Sequence, residues 1–138
     1  MRLGKDRKVE LISRVPLFAK CSKRDLQQIA SVADEVELPE GKELTREGDR
    51  GREFFVLLDG AAEVRQRGRK VRTLGKGDFL GEIALVSKSP RTATVTTTQP
   101  TRALVITDQA FGALLRRSPQ IQSGIVEALA DRLAPELL

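Results

Sequence analysis

The chain has 138 residues, 40% of them hydrophobic and 31% charged, with a formal net charge of +5. That length fits one domain with a real core, which five Phe and no Trp or Tyr make mostly aliphatic. The absence of any histidine excludes Ser-His-Asp and Cys-His catalysis, HExxH zinc sites and other imidazole-based metal centres.

The charged start, MRLGKDRKVE, and the lack of an apolar run of spanning length give no targeting or membrane signal, so the expected location is cytoplasmic. A single cysteine, Cys21, cannot form an intrachain disulfide, which agrees with a reducing compartment. From Asp6 to Val32 the spacing is helical. Val9, Leu11, Ile12 and Val15 mark one apolar face, Leu26, Ile29, Ala30 and Val32 another, and Pro16 interrupts them. Ser22 followed by Asp25 resembles a capping box and predicts a second helix from Lys23.

After Asp34 short strand-like runs alternate with glycines. The predicted strands are Glu35–Leu38, Lys42–Arg46, Glu53–Leu58, Ala61–Gln66, Lys70–Leu74, Thr92–Thr97 and Arg102–Thr107. A series of strands with no helices between them favours an antiparallel sandwich or barrel. Helical spacing returns at Asp108, with Phe111, Leu114 and Leu115 on one side, and a stripe at Ile121, Ile125, Leu129 and Leu133 follows Pro119. Thr107 or Asp108 can cap the first of these helices, Pro119 suits the opening turn of the second, and Pro135 is expected to stop it. The stripe has two readings, packing onto the strands or a seam between two copies.

Two stretches concentrate charge or chemistry. The run RQRGRKVR, Arg65 to Arg72, has Gly68 at its centre and reads either as a solvated hairpin tip or as a basic nucleic-acid surface, although no aromatic residue lies among its charges to stack on bases. In GEIALVSKSPRTATV, Gly81 to Val95, a lone acid, Glu82, and a lone arginine, Arg91, stand among small and apolar residues. One reading pairs the two across the loop. The other is a nucleotide site. Gly81 would let a ligand approach the backbone, a helical turn from Glu82 would offer unpaired N–H groups, Arg91 would meet a phosphate and Glu82 a ribose hydroxyl. Pro90 would restrict Ser89, and Thr92 could add a donor.

The segment FLGEIALVSKSPRTATV resembles the phosphate-binding cassette of cyclic nucleotide-binding domains, the family of the bacterial catabolite activator protein and the regulatory subunits of protein kinase A. Gly81, Glu82, Ala84, Leu85, Pro90, Arg91, Thr92 and Ala93 carry the match in order. Gly48-Asp49, Gly77-Asp78, the stretch EFFVLLDGAAEV and the opening PLFAKCSKRDLQQIA extend it over nearly the whole chain. The resemblance implies a mainly β fold with flanking helices: a helical segment at 1–33, an antiparallel eight-stranded β-roll at 34–107 with its cassette at 79–95, and two C-terminal helices at 108–138.

By that resemblance the ligand is cAMP more than cGMP, and no other cofactor or metal is implied. Glu82 would bind the ribose 2′-hydroxyl and Arg91 the cyclic phosphate, with Gly81 and the N–H groups of Ile83, Ala84 and Thr92 completing the cradle. The base would meet Val71 and Leu74 and a lid at Arg132 and Leu133. The expected role is a sensor, not an enzyme, whose C-terminal helices move on binding and which signals through a second copy or a separate effector. Nothing up to Leu138 reads as a helix-turn-helix, kinase or channel segment. A domain of the same fold without ligand, or a basic nucleic-acid binder, are the other expectations.

Overall fold

In the computed structural model, which describes residues 3–137 and side chains as far as Asp131, the chain divides into two compact units. One is helical and combines the segment before Asp34 with the segment after Asp108. The other, Asp34–Asp108, holds all the described strands.

The helical unit contains α1 (Lys5–Ser13), a 3₁₀ turn at Pro16–Phe18, α2 (Lys23–Ser31), α3 (Asp108–Arg117, entering the unit at Gln109) and α4 (Pro119–Leu137). Its core is built from Ile12, Leu17, Phe18, Ile29, Phe111 and Ile121, all buried, with the rings of Phe18 and Phe111 tilted at 48° and 5.7 Å apart. Both halves of the expected capping box are present: Ser22 Oγ accepts from the Asp25 N–H at 3.1 Å, and the Ser22 N–H donates to the Asp25 carboxylate at 3.2 Å. Ser22→Ala is therefore expected to cost about 1 kcal/mol, read as a lower urea midpoint with an unchanged slope.

Cys21 sits beside α4, where a side-chain carbon on Gly124 would lie 3.2 Å from its sulfur. Burial, and secondarily the charge of Asp25, pushes its thiol up to about 11, so the reactive thiolate is scarce at neutral pH. The expected stop at Pro135 is not observed, since α4 runs to Leu137. Proline deletes one hydrogen bond to the preceding turn, yet its fixed φ is itself helical, and this close to the helix end little remains to disrupt. Among the described residues no helix is long and apolar enough to cross a membrane.

The roll contains β1 (Asp34–Leu38), β2 (Glu43–Thr45), β3 (Glu53–Asp59), β4 (Ala62–Gln66), β5 (Arg69–Leu74), β6 (Phe79–Leu80), β7 (Thr94–Thr97) and β8 (Thr101–Thr107). They form two antiparallel four-stranded sheets, ordered β1-β8-β3-β6 and β2-β7-β4-β5. Phe55 and Leu57 of one sheet pack with Ala62, Val64, Leu74 and Val95 of the other, which gives the sandwich its aliphatic interior. Of the eight strands only β6 escaped the sequence reading: it is two residues long, too short to show alternation, and exists through its pairing with Phe55 and Val56.

Strands β4 and β5 are joined at Arg67-Gly68, both with positive φ (52° and 78°), which is the backbone of a type I′ hairpin turn. The basic run thus forms an exposed hairpin, as the first of its two readings expected. A register shift opposite Val64 and Arg65 leaves Val71 unpaired between Lys70 and Arg72.

Candidate functional site

The loop around Arg91 is fixed by its backbone before its side chain does any chemistry. The Arg91 N–H donates to the Asp49 carbonyl at 2.7 Å, its own carbonyl accepts from the Gly48 N–H at 2.9 Å, and Pro90 bridges Arg50. The β2–β3 loop therefore clamps this position from one side.

The guanidinium then runs inward past two glycines. A side-chain carbon on Gly51 would lie 2.7 Å from Arg91 Nε, and one on Gly81 would overlap Nη1, so neither position has room for a side chain. Gly81 also has φ of 84°, in the left-handed region. Arg91 is half-buried, and Nη2 donates to the Glu53 carbonyl at the start of β3, its one side-chain hydrogen bond among the described residues. No described carboxylate lies within ion-pair distance of it. Burial lowers its pKa, with the Glu53 charge opposing, but a guanidinium so shifted still keeps its proton at neutral pH. A cation held in this way, with most of its five donors uncommitted among the described residues, can accept an anion.

Gly81, Glu82, Arg91 and Thr92 all line one hollow of about 260 Å³, together with Leu74, one of the two residues expected at the base. Val71, the other, is half-exposed and lines an adjoining hollow that shares Arg91 and Thr92 with the first. The helical turn expected from Glu82 is present as a four-residue 3₁₀ turn, Glu82–Leu85. Ile83 and Ala84 lie in this turn and line neither hollow. The Ala84 N–H donates to the Gly81 carbonyl at 3.0 Å, within the turn, and its side chain packs toward Gly51. The side chains of Arg132 and Leu133, the expected lid, lie outside the described residues.

Several residues of the inner hollow were not assigned to a nucleotide site from the sequence, Arg72 having been read only as part of the basic run. Val64, Arg72, Phe79 and Val95 come from strands β4 to β7. Arg72 stands opposite Val64 and two residues before buried Leu74, so the strand period places it on the inward face. That spacing was the available signal, and the surrounding basic run obscured it.

Comparisons with known proteins bear on the family and the fold. The cyclic nucleotide-binding domain family matches residues 35–118. A cAMP-dependent protein kinase regulatory subunit of Mycosarcoma maydis is 36% identical over 110 residues, covering 73% of this chain and 21% of the relative. The cGMP-dependent protein kinase egl-4 of Caenorhabditis elegans is 32% identical over 124 residues, covering 83% of this chain and 16% of the relative. The chain thus spans about a fifth or less of the length of these two proteins. Among solved structures, the N-terminal domain of a transcriptional regulator from Streptomyces coelicolor A3(2) superposes with a TM-score of 0.81 at 26% identity, covering 91% of this chain and 94% of that one. Fold, cassette and relatives converge, and the chain belongs to the cyclic nucleotide-binding domain family.

Proposed function

We propose that the chain binds a cyclic nucleotide, cAMP ahead of cGMP, and acts as a regulatory sensor in the cytoplasm. The observation that carries this reading is Arg91: a half-buried guanidinium with a carbonyl, not a carboxylate, as its partner, on the wall of a hollow that Gly81 and Glu82 also line. A cyclic phosphate has one negative charge and matches one guanidinium. Glu82 accepts from the ribose 2′-hydroxyl, and Leu74 and Val64 give the base an apolar wall. The relative whose name refers to cAMP supports adenine as the base.

One observation favours guanine as a second reading. Arg72 lines the same hollow, and a guanidinium matches the paired acceptors N7 and O6 of guanine better than the acceptor and donor of adenine. Calorimetric titration with cAMP and cGMP decides between them, and no heat with either at millimolar concentration refutes both. Glu82→Ala is expected to weaken binding by about 1.5–3 kcal/mol, the range for a charge-assisted hydrogen bond, and to abolish preference for the ribose ligand over its 2′-deoxy analogue.

Output would pass to α3 and α4. Asp108, the first residue of α3, is tied to the loop that clamps Arg91: its N–H donates to the Arg52 carbonyl at 2.8 Å and its carboxylate accepts from Arg50 at 3.2 Å. A shift of that loop on binding moves the start of α3 and, with it, a surface for an effector or a second copy. Hydrogen exchange in α3 and α4 with and without ligand tests this step, and identical protection refutes it.

A further inference from the structure

The adjoining hollow is the larger of the two, at about 840 Å³, and is walled by Glu47, Gln66, Arg67, Arg69 and Val71 in addition to the shared Arg91 and Thr92. Its wall is tied to the phosphate site. The Arg67 N–H donates to Glu47 Oε1 at 2.9 Å, and Gln66 Nε2 donates to the Thr92 carbonyl at 3.3 Å. The hairpin turn that presents Arg67 and Arg69 is thereby held against the β2–β3 loop and the residue following Arg91.

Charge and size both suggest a ligand that fills more than the inner hollow. Among the described residues that line the two, Arg67, Arg69, Arg72 and Arg91 stand with Glu47 and Glu82, four positive groups against two negative, a net of +2. A cyclic mononucleotide brings a single negative charge and leaves one positive charge unmatched. The inner hollow, at about 260 Å³, is smaller than the roughly 300–1,000 Å³ usual for a small-molecule site, and the outer one adjoins it at Arg91 and Thr92, so a ligand larger than a mononucleotide has room to continue into it. Guanidiniums in pairs suit a phosphate in particular, because each offers a planar fork of donors to its oxygens.

Resting on the reading that Arg91 holds the phosphate of a bound nucleotide, we propose that Arg67 and Arg69 form a second phosphate subsite, and that the ligand this site prefers is a nucleotide with two phosphates. The outer arginines sit on an exposed turn, where loss of charge leaves the fold and the inner site in place. The test is calorimetry on the wild-type chain and on an Arg67→Gln, Arg69→Gln double variant. The probes are cAMP, cGMP, cyclic di-AMP, cyclic di-GMP and adenosine 3′,5′-bisphosphate.

At least one two-phosphate probe is expected to bind about tenfold more tightly than the better cyclic mononucleotide. That advantage should vanish in the double variant, while mononucleotide affinity stays within about threefold. Whether a cyclic dinucleotide or the bisphosphate gains the advantage identifies the source of the second phosphate. If mononucleotides bind and neither kind of two-phosphate probe binds more tightly, or if the advantage survives in the variant, the second subsite is refuted and the cyclic nucleotide reading stands. Failure of every probe to bind the wild-type chain overturns both.

Discussion

Arg91→Ala is expected to weaken cyclic nucleotide binding by about 2–5 kcal/mol, roughly thirtyfold to several thousandfold, while the protein remains folded. The loss is large because the guanidinium is already placed and partly desolvated before ligand arrives, so little ordering remains to offset the phosphate contact. Stability should change little for a related reason. The folded chain holds this cation at some desolvation cost and returns one described side-chain hydrogen bond, to the Glu53 carbonyl. Calorimetry together with a thermal melt separates the two effects. A variant that binds as tightly as wild type would show that the phosphate lies elsewhere. Arg91→Lys keeps the charge but not the fork and should recover only part of the affinity.

The second large effect is expected from Gly81→Ala. Its φ of 84° costs a non-glycine residue about 1–2 kcal/mol, and the added carbon would overlap the Arg91 guanidinium and stand 2.8 Å from the Glu53 carbonyl oxygen. Crowding of this kind in a packed site adds about 1–3 kcal/mol, so a total loss of about 2–5 kcal/mol should appear in the urea midpoint. Binding should fall as well, because Arg91 cannot keep its position beside the new methyl group. Gly51→Ala isolates the clash, since its carbon meets Arg91 Nε at 2.7 Å at a position without a left-handed φ. Undiminished affinity in Gly51→Ala would mean that the placement of Arg91 is not critical.

What the sequence made legible depended on whether the determining contacts were local. The Ser22–Asp25 cap is a contact over three residues and could be read directly, as could the start of α3 at Asp108. Strand positions were clear to within one or two residues because turns punctuate them. The inward and outward faces of β3 were not clear, because FFVLL is buried throughout and shows no alternation.

The site divides in the same way. Gly81, Glu82, Arg91 and Thr92 lie within twelve consecutive positions and carry a recognisable pattern, whereas Arg72 and Val64 reach the hollow through strand pairing that only the topology reveals. The partner of Arg91 is a backbone carbonyl, and a carbonyl leaves no mark in a sequence.

The pairing of β1 with β8 has a consequence for how this module can be used. Asp34 lies beside Val105, so the chain comes into the roll and goes out of it at neighbouring points. A segment whose two ends meet can be spliced into a host as though it were a short loop, without stretching the flanking chain. The same juncture joins the extremes of the segment, so its closure must wait for contacts distant in sequence, and assembly in milliseconds to seconds, not microseconds, is the pace to expect.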